Sequence, residues 1–396
     1  MQSYNIDEGL YWVGAQDPGL RVFDVIMSTQ YGTSYNSYFV RGQDACAVVE
    51  GVKAGFFGEW KERLTDAGAD PSRIDYLVLD HTEPDHTGAV RELLELSPET
   101  CIVCSKAASL LIREIVNEPL NLRVVGDGDS IDLGGVTLRF VSAPFLHWPD
   151  SMFTYIPERR ALISGDVFGF HHHWPGVFED AMPVSELLET QKYYFDVIMS
   201  PFKKHVLDAC EKVRGLDISV ICPSHGPVLN KDPWGAVARY EKWAAPGAHK
   251  GKSAFVGYVS CYGFTAKLAR AIAAELESEG VDVRVQDVSL IPALEAAAMA
   301  MAADAVIIGS PTLNRDALEP VWQVMGALSA IVCRSKVGAS FGSYGWSGEA
   351  TKHILGRMEQ LGMKTAGACR AKMNPNEEEL GAARALAKDV AAALNA

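Results

Sequence analysis

Apolar residues follow one another along this chain in two different rhythms. From Ser253 onward, short continuous apolar runs alternate with longer stretches of helical spacing. Ser253–Val259, Val281–Val285, Ala305–Gly309 and Lys336–Phe341 read as buried strands. Thr265–Ser278, Leu294–Ala303, Pro320–Ala330, Gly348–Leu361 and Glu377–Ala393 read as helices between and after them. Strand and helix taking turns across short loops predict a doubly wound parallel sheet. The earlier part is richer in strands. Apolar runs fall at Tyr38–Val40, Cys46–Glu50, Tyr76–Leu79, Ile102–Cys104, Leu122–Val125, Val136–Val141, Met152–Ile156, Ala161–Ser164 and Val220–Cys222. Helices are predicted over Gly55–Ala67, Gly88–Leu96, Ala107–Val116 and Val184–Arg214. That mixture predicts a layered α/β arrangement with mixed sheets. The rhythm changes across Ala244–Lys252, a small, Pro/Gly-bearing stretch, which sets domain limits of 1–248 and 249–396.

Charge and composition then narrow the class. The 396 residues include 36 Lys+Arg and 50 Asp+Glu, a formal net charge of −14, which argues against nucleic acid or an anionic membrane as the main partner. No apolar run reaches the ~18 residues a membrane span needs. The first eight residues have neither the basic start nor the apolar core of a signal peptide, so the cytoplasm is the expected location. Eight cysteines spread along a chain of this length are expected to be buried thiols in a reducing compartment, not a disulfide framework.

The densest chemistry is Asp80-His-Thr-Glu-Pro-Asp-His86. Four potential metal ligands, His81, Glu83, Asp85 and His86, fall within six residues between a strand and a helix. Such loops are where α/β folds put their sites. His147, Asp166 and His225 each follow a later strand. Seven ligands exceed the needs of one four-coordinate ion and suit two ions sharing a carboxylate. Nitrogen and oxygen donors without cysteine disfavour an iron–sulfur cluster, and a carboxylate-rich set suits iron or manganese.

The later half carries three further loops at strand ends. Ser260-Cys261-Tyr262-Gly263-Phe264-Thr265 opens a helix, where hydroxyls and free N–H groups make a phosphate cradle. The loop contains no Gly-x-Gly-x-x-Gly and no P-loop lysine, so a monophosphate such as FMN fits better than a dinucleotide or a nucleoside triphosphate. Pro311, Thr312, Leu313 and Asn314 follow the next strand. Ser343, Tyr344, Gly345, Trp346, Ser347 and Gly348 follow the one after, with two aromatics placed to stack on a flat ring.

The motif His81-x-Glu83-x-Asp85-His86 with His147, Asp166 and His225 resembles the metallo-β-lactamase superfamily. Glu83, where that superfamily has a second histidine, marks the flavodiiron proteins, also called A-type flavoproteins. Gly32–Tyr38 and the Gly-Ser-Tyr-Gly-Trp string are similar to that family too, and the resemblance covers nearly the whole chain. It implies a metallo-β-lactamase-like αββα domain followed by a flavodoxin-like domain. One iron would be held by His81, Glu83 and His147, the other by Asp85, His86 and His225, with Asp166 bridging. It implies FMN as the entry point for electrons and a di-iron site that reduces O2 to water, NO to N2O, or both. It also implies a head-to-tail homodimer or dimer of dimers, and an electron donor such as rubredoxin, an NADH-linked reductase or a reduced deazaflavin. Without the two cysteine pairs of a fused rubredoxin, the chain matches the minimal two-domain class.

A di-zinc hydrolase with a flavodoxin regulatory domain is the alternative, and Glu83 weighs against it. A pure electron carrier is a second alternative, against which the full ligand set weighs. Met27, His171 and Tyr193 are candidates for the wall of a substrate pocket one layer out from the metals. Cys101-Ile-Val-Cys104 is read as structural, the His171-His-His173 run as a loop or pocket wall, and Lys203-Lys-His205 as a solvated helix face.

Overall fold

The computed structural model describes residues 1–24, 27–245 and 251–396. The chain folds as two compact units, Met1–Pro246 and Gly247–Ala396.

The first unit holds two five- to seven-stranded sheets. In spatial order the larger contains Tyr4–Asp7, Leu10–Trp12, Tyr38–Arg41, Cys46–Val49, Tyr76–Leu79, Cys101–Cys104 and Leu122–Val124. Its first four strands pair antiparallel and the remainder parallel. The second sheet contains Ser130–Asp132, Thr137–Ser142, Met152–Ile156, Ala161–Ile163 and Val220–Cys222. Period-two alternation sorts the strand residues into layers. Trp12, Tyr38, Val49 and Val78 share a buried cluster with Phe140, Met152 and Ile163 of the other sheet. Their neighbours Val48, Leu77 and Leu162 fall in a second cluster, with Trp60, Leu93, Val213 and Tyr240 from helices. The result is helix–sheet–sheet–helix, the expected αββα order. Burying each such side chain contributes about 1.5–3 kcal/mol.

The second unit is a five-stranded parallel sheet, Asp282–Asp287, Ser253–Tyr258, Ala305–Gly309, Val337–Tyr344 and Lys364–Lys372 in spatial order. That is the 2-1-3-4-5 flavodoxin-like winding. Ile307 packs to one face of the sheet and Val306 to the other.

Several expected elements need correction. The single helix over Val184–Arg214 is broken into Val184–Tyr194, a widened turn Phe195–Met199, a tight turn Ser200–Phe202, and Lys203–Arg214. Pro201 has no N–H to donate, and its ring crowds the preceding turn, so the helical ladder re-forms only beyond it. The helix expected from Gly88 is preceded by a separate turn, Pro84–Thr87, which proline starts at its first position, so Asp85 and His86 are helical. The strand expected to end at Phe341 runs to Tyr344, which places Ser343 and Tyr344 in the strand and not in the loop. Lys364–Lys372 is a strand that periodicity did not single out, because most of its positions are polar or small. Among the described residues, no helix is long and apolar enough to cross a membrane.

Candidate metal centre and flavin loops

The loop after Tyr76–Leu79 is fastened before it offers any ligand. The Asp80 carboxylate accepts the Thr154 hydroxyl at 2.7 Å, and Asp150 accepts both the N–H and the hydroxyl of Thr82 at 2.9 and 2.6 Å. The loop carrying His225 is held from the opposite side. Asn36 donates to the carbonyls of Pro223 and Gly226 at 2.7 and 2.8 Å, and its own side-chain oxygen accepts the Trp12 indole at 2.8 Å.

These anchors bring all seven candidate ligands together. His81, Glu83, His147 and Asp166 form one group whose ligand atoms lie within 4.8 Å of one another, and Asp85, His86 and His225 form a second. Asp166 touches both. Its Oδ2 lies 3.4 Å from His81 Nε2 and 3.3 Å from His147 Nε2, while its Oδ1 lies 3.4 Å from His86 Nε2 and 3.3 Å from His225 Nε2. Asp85 Oδ2 lies 3.1 Å from His225 Nε2, and Glu83 Oε2 lies 2.8 Å from His147 Nε2.

Several of these atoms are buried without any hydrogen-bond partner: Nε2 of His81 and His86, both carboxylate oxygens of Asp85, and Oδ1 of Asp166. Orphaned buried donors and acceptors cost about 1–3 kcal/mol each, more when charged. So many converging on one place have the chemistry of a cation site.

The local field agrees. Burial favours a neutral His147 and a neutral His86, yet the surrounding carboxylates outweigh it and push both up to about 9. Burial likewise works against an ionised Glu83 and Asp166, but the facing imidazoles hold both carboxyls below their ordinary range. A set that demands positive charge this strongly would be satisfied equally by metal ions.

Four supporting groups escaped the sequence reading. Glu50 is fully buried and places Oε2 2.5 Å from His86 Nδ1. A lone Glu closing an otherwise apolar strand run was the available signal. Asn36 and Ser34 lie within Gly32–Tyr38, whose resemblance marked the segment, but nothing local marked their roles: the Ser34 carbonyl is 2.7 Å from His225 Nδ1, and these partners are almost two hundred residues away. Asp24 lies beside Glu83, and partial burial together with that neighbour pushes its carboxyl up to about 6.

Met27, His171 and Tyr193 line one cavity of about 280 Å³, with Tyr31, Glu189 and Tyr194. The His171 ring is 4.6 Å from that of His225, and its Nδ1 is 2.8 Å from the Thr33 hydroxyl. Burial, then the charge of His225, holds His171 well below the usual imidazole range. The other two histidines of the run diverge. His172 faces Glu186 and His173 faces Gln16, both at 2.6 Å. Cys101 and Cys104 lie three apart in one strand, so their side chains leave opposite faces.

In the second unit Gly263, at φ 83, turns the chain into helix Phe264–Ser278 without a capping side chain of its own; the Ala266 N–H donates to the Ser260 hydroxyl at 3.2 Å, and those of Phe264 and Thr265 precede it in the first turn. The Thr265 and Ser343 hydroxyls are 2.8 Å apart, and the Thr312 N–H donates to the Ser343 carbonyl at 2.9 Å, so the first two loops meet at the strand end that leads into the third. A Cβ on Gly342 would come within 2.4 Å of the Ser310 carbonyl, so only glycine lets two of them pack this closely. Ser260, Pro311, Ser347 and Gly348 lie among them, partly or fully buried, while Cys261, Leu313 and Asn314 face out. Tyr262 and Trp346 are 84 % and 93 % exposed.

Family models match both units: an ODP family beta lactamase over residues 33–226 and a flavodoxin over residues 256–392. The type A flavoprotein fprA of Rhodobacter capsulatus is 39% identical, covering 97% of this chain and 89% of its own length. The flavo-diiron protein FprA2 of Clostridium acetobutylicum is 35% identical, covering 92% of each chain. This chain belongs to the flavodiiron family. A third relative, named nitric oxide reductase, comes from Moorella thermoacetica and is 36% identical over 90% of each chain. Among solved structures, rubredoxin oxygen:oxidoreductase of Desulfovibrio gigas covers 100% of this flavodiiron chain and 99% of its own, with a TM-score of 0.73 and 29% identity. Flavodiiron proteins are oxidoreductases, and the two-domain order found here is theirs.

Proposed function

We propose that this chain is a gas-reducing flavodiiron enzyme that carries FMN on the loops of its second unit and two irons in its first. The observation that carries the reading is Asp166, one carboxylate whose two oxygens face two separate histidine groups. His81, Glu83 and His147 would hold one iron and Asp85, His86 and His225 the other. Three carboxylates offset three of the four positive charges of two divalent ions, which suits a buried site. When bound, the irons supply adjacent redox-active positions for a small diatomic, and FMN supplies electrons taken up in pairs and released singly.

The remaining tasks belong to the protein. Asp166, fully buried, fixes the spacing of the two groups. The Ser34 carbonyl holds the proton of His225 on Nδ1 and so turns the Nε2 lone pair toward Asp85. The cavity bounded by Met27, Tyr193, Tyr194 and His171 is small and largely apolar, which suits a neutral gas better than a charged substrate. His171 stays neutral there, and burial keeps the Tyr194 phenol protonated well above its ordinary range, leaving a hydroxyl able to donate to a bound substrate. Names of relatives support NO and O2 as substrates and rubredoxin as the type of donor. A head-to-tail dimer, or a dimer of such dimers, in the cytoplasm completes the reading.

The test is anaerobic reduction of purified protein, metal analysis, and separate turnover with O2 and with NO. About two irons and one FMN per chain with turnover of either gas is expected. Two zinc ions, no iron and hydrolytic activity would overturn the reading in favour of the hydrolase.

A further inference from the structure

His86 has a carboxylate behind it, Glu50, that the seven-ligand set does not include. Glu50 closes the strand Cys46–Val49 with φ 63, in the left-handed region that residues with a Cβ avoid. Its neighbour Gly51 packs against the turn bearing His86, where a Cβ would sit 2.4 Å from the His86 carbonyl oxygen. The strand end is therefore shaped on both residues to bring the Glu50 carboxylate beneath the Asp80–Thr87 segment.

Each carboxylate oxygen has one task. Oε1 accepts the Asp80 N–H at 2.5 Å, and Oε2 faces His86 Nδ1 at 2.5 Å. A carboxylate only accepts, so Nδ1 must carry hydrogen, and the lone pair of a neutral ring is left on Nε2. That Nε2 lies 3.4 Å from both Asp85 Oδ1 and Asp166 Oδ1 and has no hydrogen-bond partner. Glu50 also lies within 4.8 Å of His81 and His86 ligand atoms, but both of its oxygens are already taken by the Asp80 N–H and His86 Nδ1, so it stands behind the imidazole and supports it.

We propose that Glu50 is a positioning residue: by holding hydrogen on His86 Nδ1 it makes His86 a metal ligand and sets the affinity of the second of the two metal positions. The inference rests on the two-metal reading above. An isosteric variant separates it from simple packing. In Glu50→Gln the Asp80 N–H still requires an oxygen, so the amide NH2 falls against His86 Nδ1. The imidazole can then accept that NH2 only by moving its own hydrogen to Nε2, which cannot bind a metal.

The experiment titrates metal-stripped, FMN-loaded full-length protein with Fe(II) under anaerobic conditions, comparing wild type, E50Q, H86A and the double variant. Wild type should take two equivalents. E50Q and H86A should each bind the first equivalent as wild type does and the second roughly 10- to 100-fold more weakly. The double variant should be no worse than H86A alone, because Glu50 acts through His86. The thermal midpoint of metal-free E50Q should stay near that of wild type. If E50Q keeps both equivalents, weakens both alike, or adds its loss to that of H86A, the proposal is overturned while the two-metal reading stands. If wild type takes only one equivalent, both fall. Nitrogen-15 spectra of zinc-loaded wild type give an answer independent of how E50Q folds: His86 Nδ1 should be protonated, and an unprotonated Nδ1 overturns the proposal.

Discussion

His225 points Nδ1 at the backbone carbonyl of Ser34, 2.7 Å away, although 191 residues of chain separate them. The contact exists because Asn36, two residues on, clamps the His225 loop through the Pro223 and Gly226 carbonyls and takes the Trp12 indole on its remaining oxygen. All of these groups are buried. Asn36→Ala should strand the Trp12 indole N–H and remove one of two donors from each carbonyl, since Tyr38 still donates to Pro223 at 2.6 Å and Ser34 to Gly226 at 3.4 Å, and should cost about 2 kcal/mol. Denaturant unfolding followed by tryptophan fluorescence measures this. The same variant should bind metal more weakly at the group containing His225.

Asp166 serves both histidine groups, so it cannot be replaced in shape alone. In Asp166→Asn an NH2 must face one pair of imidazoles where an oxygen stood, and one negative charge is lost from the set. Metal content should fall to one ion or fewer per chain, with gas turnover down by about 10²-fold or more, while FMN content stays at the wild-type level. Elemental analysis beside flavin absorbance checks it. Unchanged turnover would favour the electron-carrier reading.

The candidate ligands were legible in the sequence because each follows a strand, and a short loop carries its signal locally. Asp80–His86 is the extreme case, seven residues that needed no tertiary knowledge. What holds them was not legible. Asn36, Ser34 and Thr154 reach their partners through the sheet packing, and nothing near them in sequence marks the contact. Period and composition also failed where two local rules competed. Val184–Arg214 has continuous helical spacing, yet Pro201 breaks the ladder. Lys364–Lys372 is an edge strand whose outward polar residues hide its period.

Metal-free protein should respond to pH in the opposite sense to metal binding. His86 and His147 are pushed up to about 9 in the folded chain, from an ordinary value of 6.5. Raised histidine values mean that the folded state binds protons more tightly than the unfolded state. The stability they contribute is therefore complete below pH 6.5 and lost as pH rises through about 9. Thermal midpoints of the stripped protein should fall across that window. Metal affinity should rise across it, because each ligand must give up its proton to bind. A stripped protein that gains stability between those pH values would contradict the assignment of this charge cluster.

Trp346 is nearly free of protein contact, at 93 % exposed, and Tyr262 is almost as open. Large aromatics on loops at the ends of parallel strands have little packing role there. A bound isoalloxazine would supply the missing face. Stacking contributes about 0.5–1.5 kcal/mol, so Trp346→Ala should weaken FMN by roughly 2- to 10-fold without changing the thermal midpoint of the flavin-free protein. The phosphate should matter more than the ring. Helix Phe264–Ser278 opens beyond Gly263 with the N–H groups of Phe264 and Thr265, the Ser260 hydroxyl takes that of Ala266, and the Thr265 and Ser343 hydroxyls meet beside them. Charge-assisted hydrogen bonds to a phosphate there are about twice as strong as neutral ones, and the helix dipole adds to them. Riboflavin, which has the ring and lacks the phosphate, should bind roughly 10²-fold more weakly than FMN in a fluorescence-quenching titration. Equal affinity for the two would show that the loops grip the ring alone, and the helix N-terminus would then have no part in holding the flavin.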